Sequence, residues 1–349
     1  MTGRRVTTAE PRRARGGPAG PGAPPPPRAS GSHRPGDGGP SVWPAISFLR
    51  RLREGVESGS DPLSAMAGAT RSLPLDVRES LDAMRRRLAG DYPEDEWGFD
   101  EGFAEAALPV VEFLYRRWWR VEVEGILNVP SHGRALLVSN HAGSFFPWDA
   151  FMIGTAVLEE HPLPRFARFL VLNWAFELPF LSVAIRKFGG VPASPYNAIR
   201  LLDQDELVGV FPEGAKGTGK DFRDRYRLQR FGRGGFVELA LRTGSPIVPV
   251  AVVGSEEIYP KIGESRALAR LTGAPFFPIT PTFPWLGPAG AVPLPSKWRI
   301  EFCDPIDVSG YGPDAASNRA LVFELSERVR DTIQAKLYEN LVKRGSAFL

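Results

Sequence analysis

The sequence predicts an α/β fold, in which helices cover both faces of a largely parallel mixed sheet, with N-terminal helices and a disordered tail before it. Short apolar runs rich in β-branched residues recur along the chain, as in Ile247–Val253. Segments with apolar residues at helical spacing separate these runs. Such alternation of strands and helices is typical of a parallel sheet that is buried on both faces.

Composition divides the chain into three parts. Residues 1–44 are rich in Pro, Gly and Arg and hold seven Arg against two carboxylates. This segment can bury too little apolar surface to offset the conformational entropy lost on ordering, so we expect disorder. It accounts for the formal charge of +3, and the folded part gives no reason to expect nucleic-acid binding. Residues 45–118 are predicted as helical segments, and residues 119–349 as the main domain with a C-terminal helix.

The elements from residue 104 onward follow from the same patterns. Short apolar or alternating runs predict strands at 121–125, 135–138, 166–172, 207–211, 247–253 and 298–303. Helical spacing predicts helices at 104–119, 150–158, 174–185, 198–202, 236–242 and 315–341. No apolar run reaches the ~18 residues of a membrane-spanning helix, so we expect any membrane contact to be peripheral.

The first candidate for chemistry is the turn after the strand at 135–138. His141 stands in this turn, and Asp149 is the first carboxylate after it, where a helix begins. A carboxylate that bonds one ring nitrogen of a histidine fixes the tautomer and leaves the other nitrogen free to accept a proton. The alternative is a solvated loop histidine and an aspartate that caps the helix.

Three strand ends together carry the strongest pattern. They are Asn140-His141 with Asp149, then Phe211-Pro212-Glu213-Gly214, then Ile247–Val250. In an open α/β sheet, ligands gather at the carboxyl ends of the strands. The sequence therefore predicts one cleft that these three ends share.

These blocks, together with Phe188-Gly189-Gly190, resemble the glycerolipid acyltransferases, the superfamily that includes 1-acylglycerol-3-phosphate acyltransferases. The resemblance covers about residues 119–310 and identifies residues 119–349 as an acyltransferase domain. The family usually has Asp five positions after the histidine, where this chain has Phe146. Its second block usually has an Arg for the acceptor's phosphate, and residues 190–194 have none. Both departures are similar to a branch of mono- and diacylglycerol acyltransferase-like proteins, which is associated with neutral acceptors.

The resemblance implies a mechanism and a set of site residues. His141, oriented by Asp149, acts as general base on a hydroxyl of a lipid acceptor. The acyl donor is a thioester of coenzyme A or of an acyl carrier protein, and no metal or further cofactor is implied. The candidate substrate-binding residues are Asn140, Ser144, Glu213, Gly214 and Lys216. Glu213 has the alternative role of capping its turn or pairing with an Arg.

Other functions stay open at this stage. Gly214–Lys220 matches the phosphate-binding loop of nucleotide hydrolases, although Asp221 stands where that pattern needs a hydroxyl. The lengthened spacing between His141 and Asp149 also fits a lipid-binding domain that has lost catalysis. The cations from Lys216 to Arg233 are expected to meet coenzyme A phosphates or lipid head groups, or to form a solvated face.

Membrane contact is predicted at two places. Trp118 and Trp119 stand between Arg residues, which suits a membrane–water interface; the alternative is a helix end packed in the core. The segment Phe276–Pro295, rich in Pro and aromatic residues, is expected to touch the bilayer, line the acyl pocket or cap the sheet. Because Cys303 is the only cysteine, we expect a reducing compartment, with the protein peripheral at the cytoplasmic face of a membrane.

Overall fold

The computed structural model describes residues 43–88, 93–143, 146–177 and 181–348. The predicted disordered tail lies outside these ranges except for its last two residues, because the first helix already begins at Trp43. Three helices open the described part: α1 (Trp43–Glu57), α2 (Pro62–Thr70) and α3 (Leu75–Leu88). They belong to the same compact unit as the sheet.

The next helix changes its winding before it ends. It begins as α4 (Glu101–Glu112) and continues as a π-helical segment, Phe113–Trp118. The N–H of Trp119 donates to the carbonyl of Leu114, five residues earlier, at 2.8 Å. This wider turn sets the direction of the aromatic side chains at the end of the helix.

Trp118 and Trp119 lie in the core. They are 3% and 0% exposed, and their indole N–H groups donate to the carbonyls of Pro293 and Leu294. Because these Trp rings are buried and their N–H groups already donate to carbonyls, they offer no surface and no free donor to a lipid head group. The membrane contact predicted for this pair is therefore wrong, and the alternative of a packed helix end is correct.

Seven strands form the main sheet, and their bounds are β1 (Glu122–Glu124), β2 (Ala135–Ser139), β3 (Ala167–Val171), β4 (Val191–Pro192), β5 (Leu207–Val210), β6 (Ile247–Val253) and β9 (Arg299–Phe302). Their spatial order is β1-β9-β6-β2-β5-β3-β4. Neighbours are parallel except β6 and β9. The predicted α/β fold with a largely parallel mixed sheet is confirmed. A separate antiparallel pair joins β7 (Gly263–Glu264) and β8 (Pro278–Ile279).

The remaining helices are α5 (Trp148–Glu160), α6 (Leu181–Lys187), α7 (Pro195–Asp203), α8 (Ala215–Thr218), α9 (Gly235–Thr243), α10 (Arg266–Thr272) and α11 (Arg319–Arg344). The single helix predicted at 174–185 is instead a 3₁₀ turn, Asn173–Phe176, and α6, with residues 178–180 outside the described ranges. None of the helices in the described ranges is long and apolar enough to cross a membrane.

Both faces of the sheet are buried, and β2 shows how. Leu136 and Val138 belong to one apolar cluster with residues of α7, α9 and α11, whereas Leu137 belongs to a second cluster with residues of α1 and α5. Alternate side chains of a strand point to opposite faces, so a strand covered on both sides is apolar throughout. This burial fixes β2 and its carboxyl end in the middle of the sheet.

Candidate active site

His141 follows the carboxyl end of β2, which lies between β5 and β6. Its Nδ1 lies 2.7 Å from Oδ2 of Asp149. The Asp149 side chain is fully buried, and that of His141 is 13% exposed. Because an ionised carboxylate only accepts hydrogen bonds, Nδ1–H donates to it. Nε2 has no hydrogen-bond partner among the described residues, so its lone pair is available to accept a proton.

The turn between the two residues absorbs the eight-residue spacing. Gly143 has φ of 102°, a conformation that favours glycine. Asp149 lies in the first turn of α5, where the helix dipole favours a negative charge, and its Oδ2 also accepts the N–H of Ala142 at 2.8 Å. The lengthened spacing therefore does not separate His141 from Asp149, and it gives no support to the hypothesis of an inactive domain.

Asn140 holds two strands together and does not face the site. Its side chain is completely buried. Nδ2 donates to the carbonyl of Val252 at 2.9 Å, and Oδ1 accepts the N–H of Val252 at 2.8 Å. Both polar atoms are thus used in fixing the end of β2 against β6, which corrects the prediction that Asn140 binds substrate.

Glu213 is a structural carboxylate beneath the site. Its side chain is fully buried. Oε1 accepts the N–H of His141 at 3.0 Å, Oε2 accepts the N–H of Gln229 at 2.7 Å, and Lys220 Nζ lies 3.4 Å from Oε2. The prediction that Glu213 binds acceptor hydroxyls is therefore corrected, because no oxygen of this carboxylate reaches solvent.

The other predicted substrate-binding residues lie in different places. Gly214 lines the same cavity as His141. Lys216 is exposed on α8 and lines a separate polar cleft together with Asp221 and Asp224. It does not line the cavity of His141, which corrects its prediction as a residue of that site. Ser144 lies outside the described residues.

Lys220 contradicts the nucleotide-binding alternative. A phosphate-binding loop needs a lysine that reaches the phosphates. The Lys220 side chain is only 4% exposed, and its Nζ lies 2.8 Å from Oε1 of Glu256, with Glu213 as a second carboxylate partner. The cation that this motif requires is already neutralised inside the protein.

The exposed edge of His141 lines an apolar cavity of ≈ 270 Å³. Its ring stacks on Phe211 with centroids 4.1 Å apart, and Phe211 stacks on Phe169 at 5.7 Å. Further apolar walls come from residues after β3 and β4 and from the segment that leads into the first turn of α9, among them Leu172, Ile185, Ala193, Phe231 and Phe236. A cavity of this kind, with few polar groups beside a base, suits an alkyl chain.

One polar group of this cavity, Trp174, was not among the candidate residues, and a second, Arg233, was predicted only as part of the run of cations from Lys216 to Arg233. Trp174 lines the cavity, and its buried Nε1 has no hydrogen-bond partner. Arg233 lines it from the segment before α9 and forms no ion pair with any described residue. Trp174 follows the carboxyl end of β3, so the same strand-end rule that selected His141 points to it. Among the residues that the structure describes, no cluster of His, Cys, Asp and Glu is placed to hold a metal ion.

The chain is similar to an acyltransferase family model and to several known proteins. The family model described as Acyltransferase matches residues 120–253, which identifies this part of the chain as an acyltransferase domain. An uncharacterized protein of Mycobacterium tuberculosis is 50% identical over 81% of this chain and 80% of its own length. A 1-acyl-sn-glycerol-3-phosphate acyltransferase of Borreliella burgdorferi is 23% identical over 41% of this chain and 54% of its own length. The chain belongs to the glycerolipid acyltransferase superfamily, as the four sequence blocks predict.

Two further similarities are at low sequence identity. A protein of Bos taurus described as a DGAT1/2-independent enzyme synthesizing storage lipids is 23% identical over 62% of this chain and 59% of its own length. The crystal structure of a 1-acyl-sn-glycerophosphate acyltransferase of Thermotoga maritima has a TM-score of 0.49. It is 17% identical and covers 86% of this chain and 97% of that chain.

Proposed function

We propose that this acyltransferase moves a fatty acyl group from an acyl thioester to a hydroxyl of a lipid acceptor in glycerolipid or phospholipid synthesis. The donor is acyl-CoA or an acyl carrier protein thioester, and no metal or other cofactor takes part. The observation that carries the proposal is the 2.7 Å contact between His141 Nδ1 and Asp149 Oδ2 beside an apolar cavity.

The reaction needs one base and one place for negative charge. Nε2 of His141 takes the proton of the acceptor hydroxyl as its oxygen attacks the thioester carbonyl. Asp149 holds the ring and stabilises the imidazolium that forms. The carbon–sulfur bond then breaks, the acyl ester forms, and the leaving thiolate takes the proton. The N–H groups of His141 and Ala142 already have carboxylate partners, so other donors must stabilise the oxyanion.

The second sequence block offers no partner for a phosphate on the acceptor. Residues 190–194 carry no cation, and Ala193 from this block contributes only an apolar wall. We therefore propose a neutral glyceride or a long-chain alcohol as the acceptor. The ratio of kcat/KM for monoacylglycerol to kcat/KM for lysophosphatidic acid tests this. A preference for the phosphorylated acceptor contradicts it and makes Arg233 the nearest candidate for the phosphate.

We propose a peripheral location on the cytoplasmic face of a membrane, with α10 as the contact. None of the residues of this helix is buried, and Leu271 on it is 81% exposed. Ile262, which precedes this helix in the chain, and Trp285, which follows it, are 66% and 71% exposed. Arg266 and Arg270 add positive charge to the same helix. Exposed apolar side chains beside cations suit the surface of an anionic bilayer.

One assay tests the proposed function. Purified protein is mixed with a labelled donor, either acyl-CoA or an acyl carrier protein thioester, and with each of several lipid alcohols, and both free thiol and labelled lipid are measured. We expect thiol release only with an acceptor present and in equal amount to the new ester. Lipid binding without thiol release, from either donor type, contradicts the proposal and leaves a lipid-binding protein of the same fold.

A further inference from the structure

We propose that Lys220 is a positioning residue, which acts on His141 through Glu213. The inference rests on the proposed function, since it concerns the same base. Lys220 Nζ joins two buried carboxylates, Glu256 at 2.8 Å and Glu213 at 3.4 Å. Glu213 in turn accepts the N–H of His141 at 3.0 Å. One continuous chain of contacts thus leads from the buried lysine to the backbone of the catalytic base.

The partners of Glu213 show what the chain of contacts controls. Its two oxygens accept backbone N–H groups from separate loops, that of His141 and that of Gln229 at 2.7 Å. The second loop leads to Phe231, Arg233 and Phe236, which line the same cavity as His141. Glu213 therefore fixes the distance between the base and the wall of the substrate cavity. Both donors are backbone N–H groups, so a shift of the Glu213 carboxylate would displace both loops.

The charge of Lys220 keeps Glu213 in place. The Glu213 side chain is fully buried, and those of Lys220 and Glu256 are 4% and 5% exposed. Burial alone would lower the pKa of Lys220, but the two carboxylates outweigh it and raise that pKa. Without the ammonium group, Glu213 would be a buried carboxylate with no counter-ion, and it would shift toward solvent or take up a proton.

Lys261 offers a matched control. Its side chain is also 4% exposed, and it also lies near two carboxylates, Glu264 at 2.8 Å and Asp221 at 3.4 Å. Neither of these acids contacts His141. Lys220→Met and Lys261→Met each remove one buried ammonium group and keep the aliphatic length. Both are expected to lower stability, and only the first is expected to displace the base.

The test measures kcat, KM, the pH profile of kcat/KM and urea unfolding for both variants. A misplaced base costs up to about 100-fold in rate, so we expect Lys220→Met to lose about 10- to 100-fold in kcat with little change in KM. The charged groups that contact His141 are Asp149 and Glu213, and Arg233 lines the same cavity. Since Glu213 becomes unpaired, the acid limb of the profile moves to higher pH. Lys261→Met is expected to keep kcat and the profile.

A double variant covers the case in which Lys220→Met does not fold. Lys220→Met takes the counter-ion from both Glu213 and Glu256. Adding Glu213→Gln removes the one of these two charges that contacts His141 and leaves a side-chain carbonyl for the N–H of His141. We expect this protein to regain stability, to return the acid limb to its wild-type position and to keep a low kcat. Wild-type kcat in either folded Lys220 variant, or an equal loss in Lys261→Met, overturns the inference. Absence of thiol release in the wild-type protein instead contradicts the proposed function itself.

Discussion

The side chain of Asn140 bonds both backbone polar groups of Val252, at 2.8 and 2.9 Å, across 112 positions of the chain. Asn140→Ala leaves a buried N–H and a buried carbonyl without partners. We expect a loss of about 2–4 kcal/mol in the free energy of unfolding, measured by urea denaturation. Asn197→Ala, which removes one bond to the carbonyl of Pro192, is the control and is expected to cost about 1 kcal/mol. Equal stabilities for the two variants would contradict the role of Asn140.

Removal of the base is expected to abolish most of the activity. His141→Ala should lower acyl transfer by about 10²–10⁴-fold, the usual contribution of a positioned base. Asp149→Asn should lose a similar factor, because the amide stabilises the wrong tautomer. His132→Ala, at an exposed loop position, is the control. Activities are compared at equal folded fraction, which circular dichroism measures. A folded His141→Ala protein with wild-type turnover contradicts the proposed mechanism.

Trp174→Phe separates substrate binding from packing. The change keeps most of the ring and deletes the buried Nε1–H that has no partner. If this N–H donates to an oxygen of the substrate, kcat/KM falls by about 10-fold, the value of one hydrogen bond. The variant should be as stable as the wild-type protein or more stable, because a buried unsatisfied donor is removed. An unchanged kcat/KM shows that the indole N–H has no substrate partner.

The exposed residues of α10 and its surroundings predict membrane binding that combines charge and apolar insertion. Wild-type protein should sediment with anionic vesicles, less strongly but still measurably at high salt, because screening removes only the electrostatic part. Leu271→Ser with Trp285→Ser should weaken sedimentation at both salt concentrations. Val342→Ser on α11, where the side chain is 83% exposed, is the control. Protein that stays in the supernatant at low salt argues against this surface.

Glu256 predicts a pH dependence of stability. Burial raises its pKa from the ordinary 4.5 to about 7, although Lys220 opposes the shift. The folded protein holds this proton more tightly than the unfolded chain does. The stability that Glu256 contributes by this raised pKa is therefore fully present below about pH 4.5 and is lost as the pH rises through about 7. From pH 5 to pH 8, the free energy of unfolding measured in urea should fall more for the wild-type protein than for Glu256→Gln. Equal falls in the two proteins would contradict the raised pKa of Glu256.

The sheet and the position of His141 could be predicted because they depend on local patterns. An apolar run such as Ala135–Ser139 predicts a buried strand wherever it is placed, and the turn after it then lies at the edge where ligands bind. The pairing of His141 with Asp149 could also be predicted, because only eight positions of the chain separate the two residues. The same pattern did not give the bounds of the helix predicted at 174–185, since a 3₁₀ turn and an α-helix share their apolar spacing locally.

The roles that were wrong depend on partners far away in the sequence. Trp118 and Trp119 are satisfied by carbonyls 175 positions later, and no local pattern contains that information. Lys220 lies in a run of cations that is typical of a solvated surface, yet the fold brings Glu256 to it. A charge is recognised as buried only when the carboxylates that neutralise it are known, and these come from another strand end.

The turn at Gly143 has a consequence for finding such enzymes in genomes. Asp149 meets His141 because it stands in the first turn of α5, and the number of residues looped out before that turn is of no importance to the contact. Searches that count a fixed interval from histidine to aspartate will discard chains of this kind as lacking a carboxylate. A signature that asks for a histidine after a buried strand and an acid at the start of the following helix would retain them.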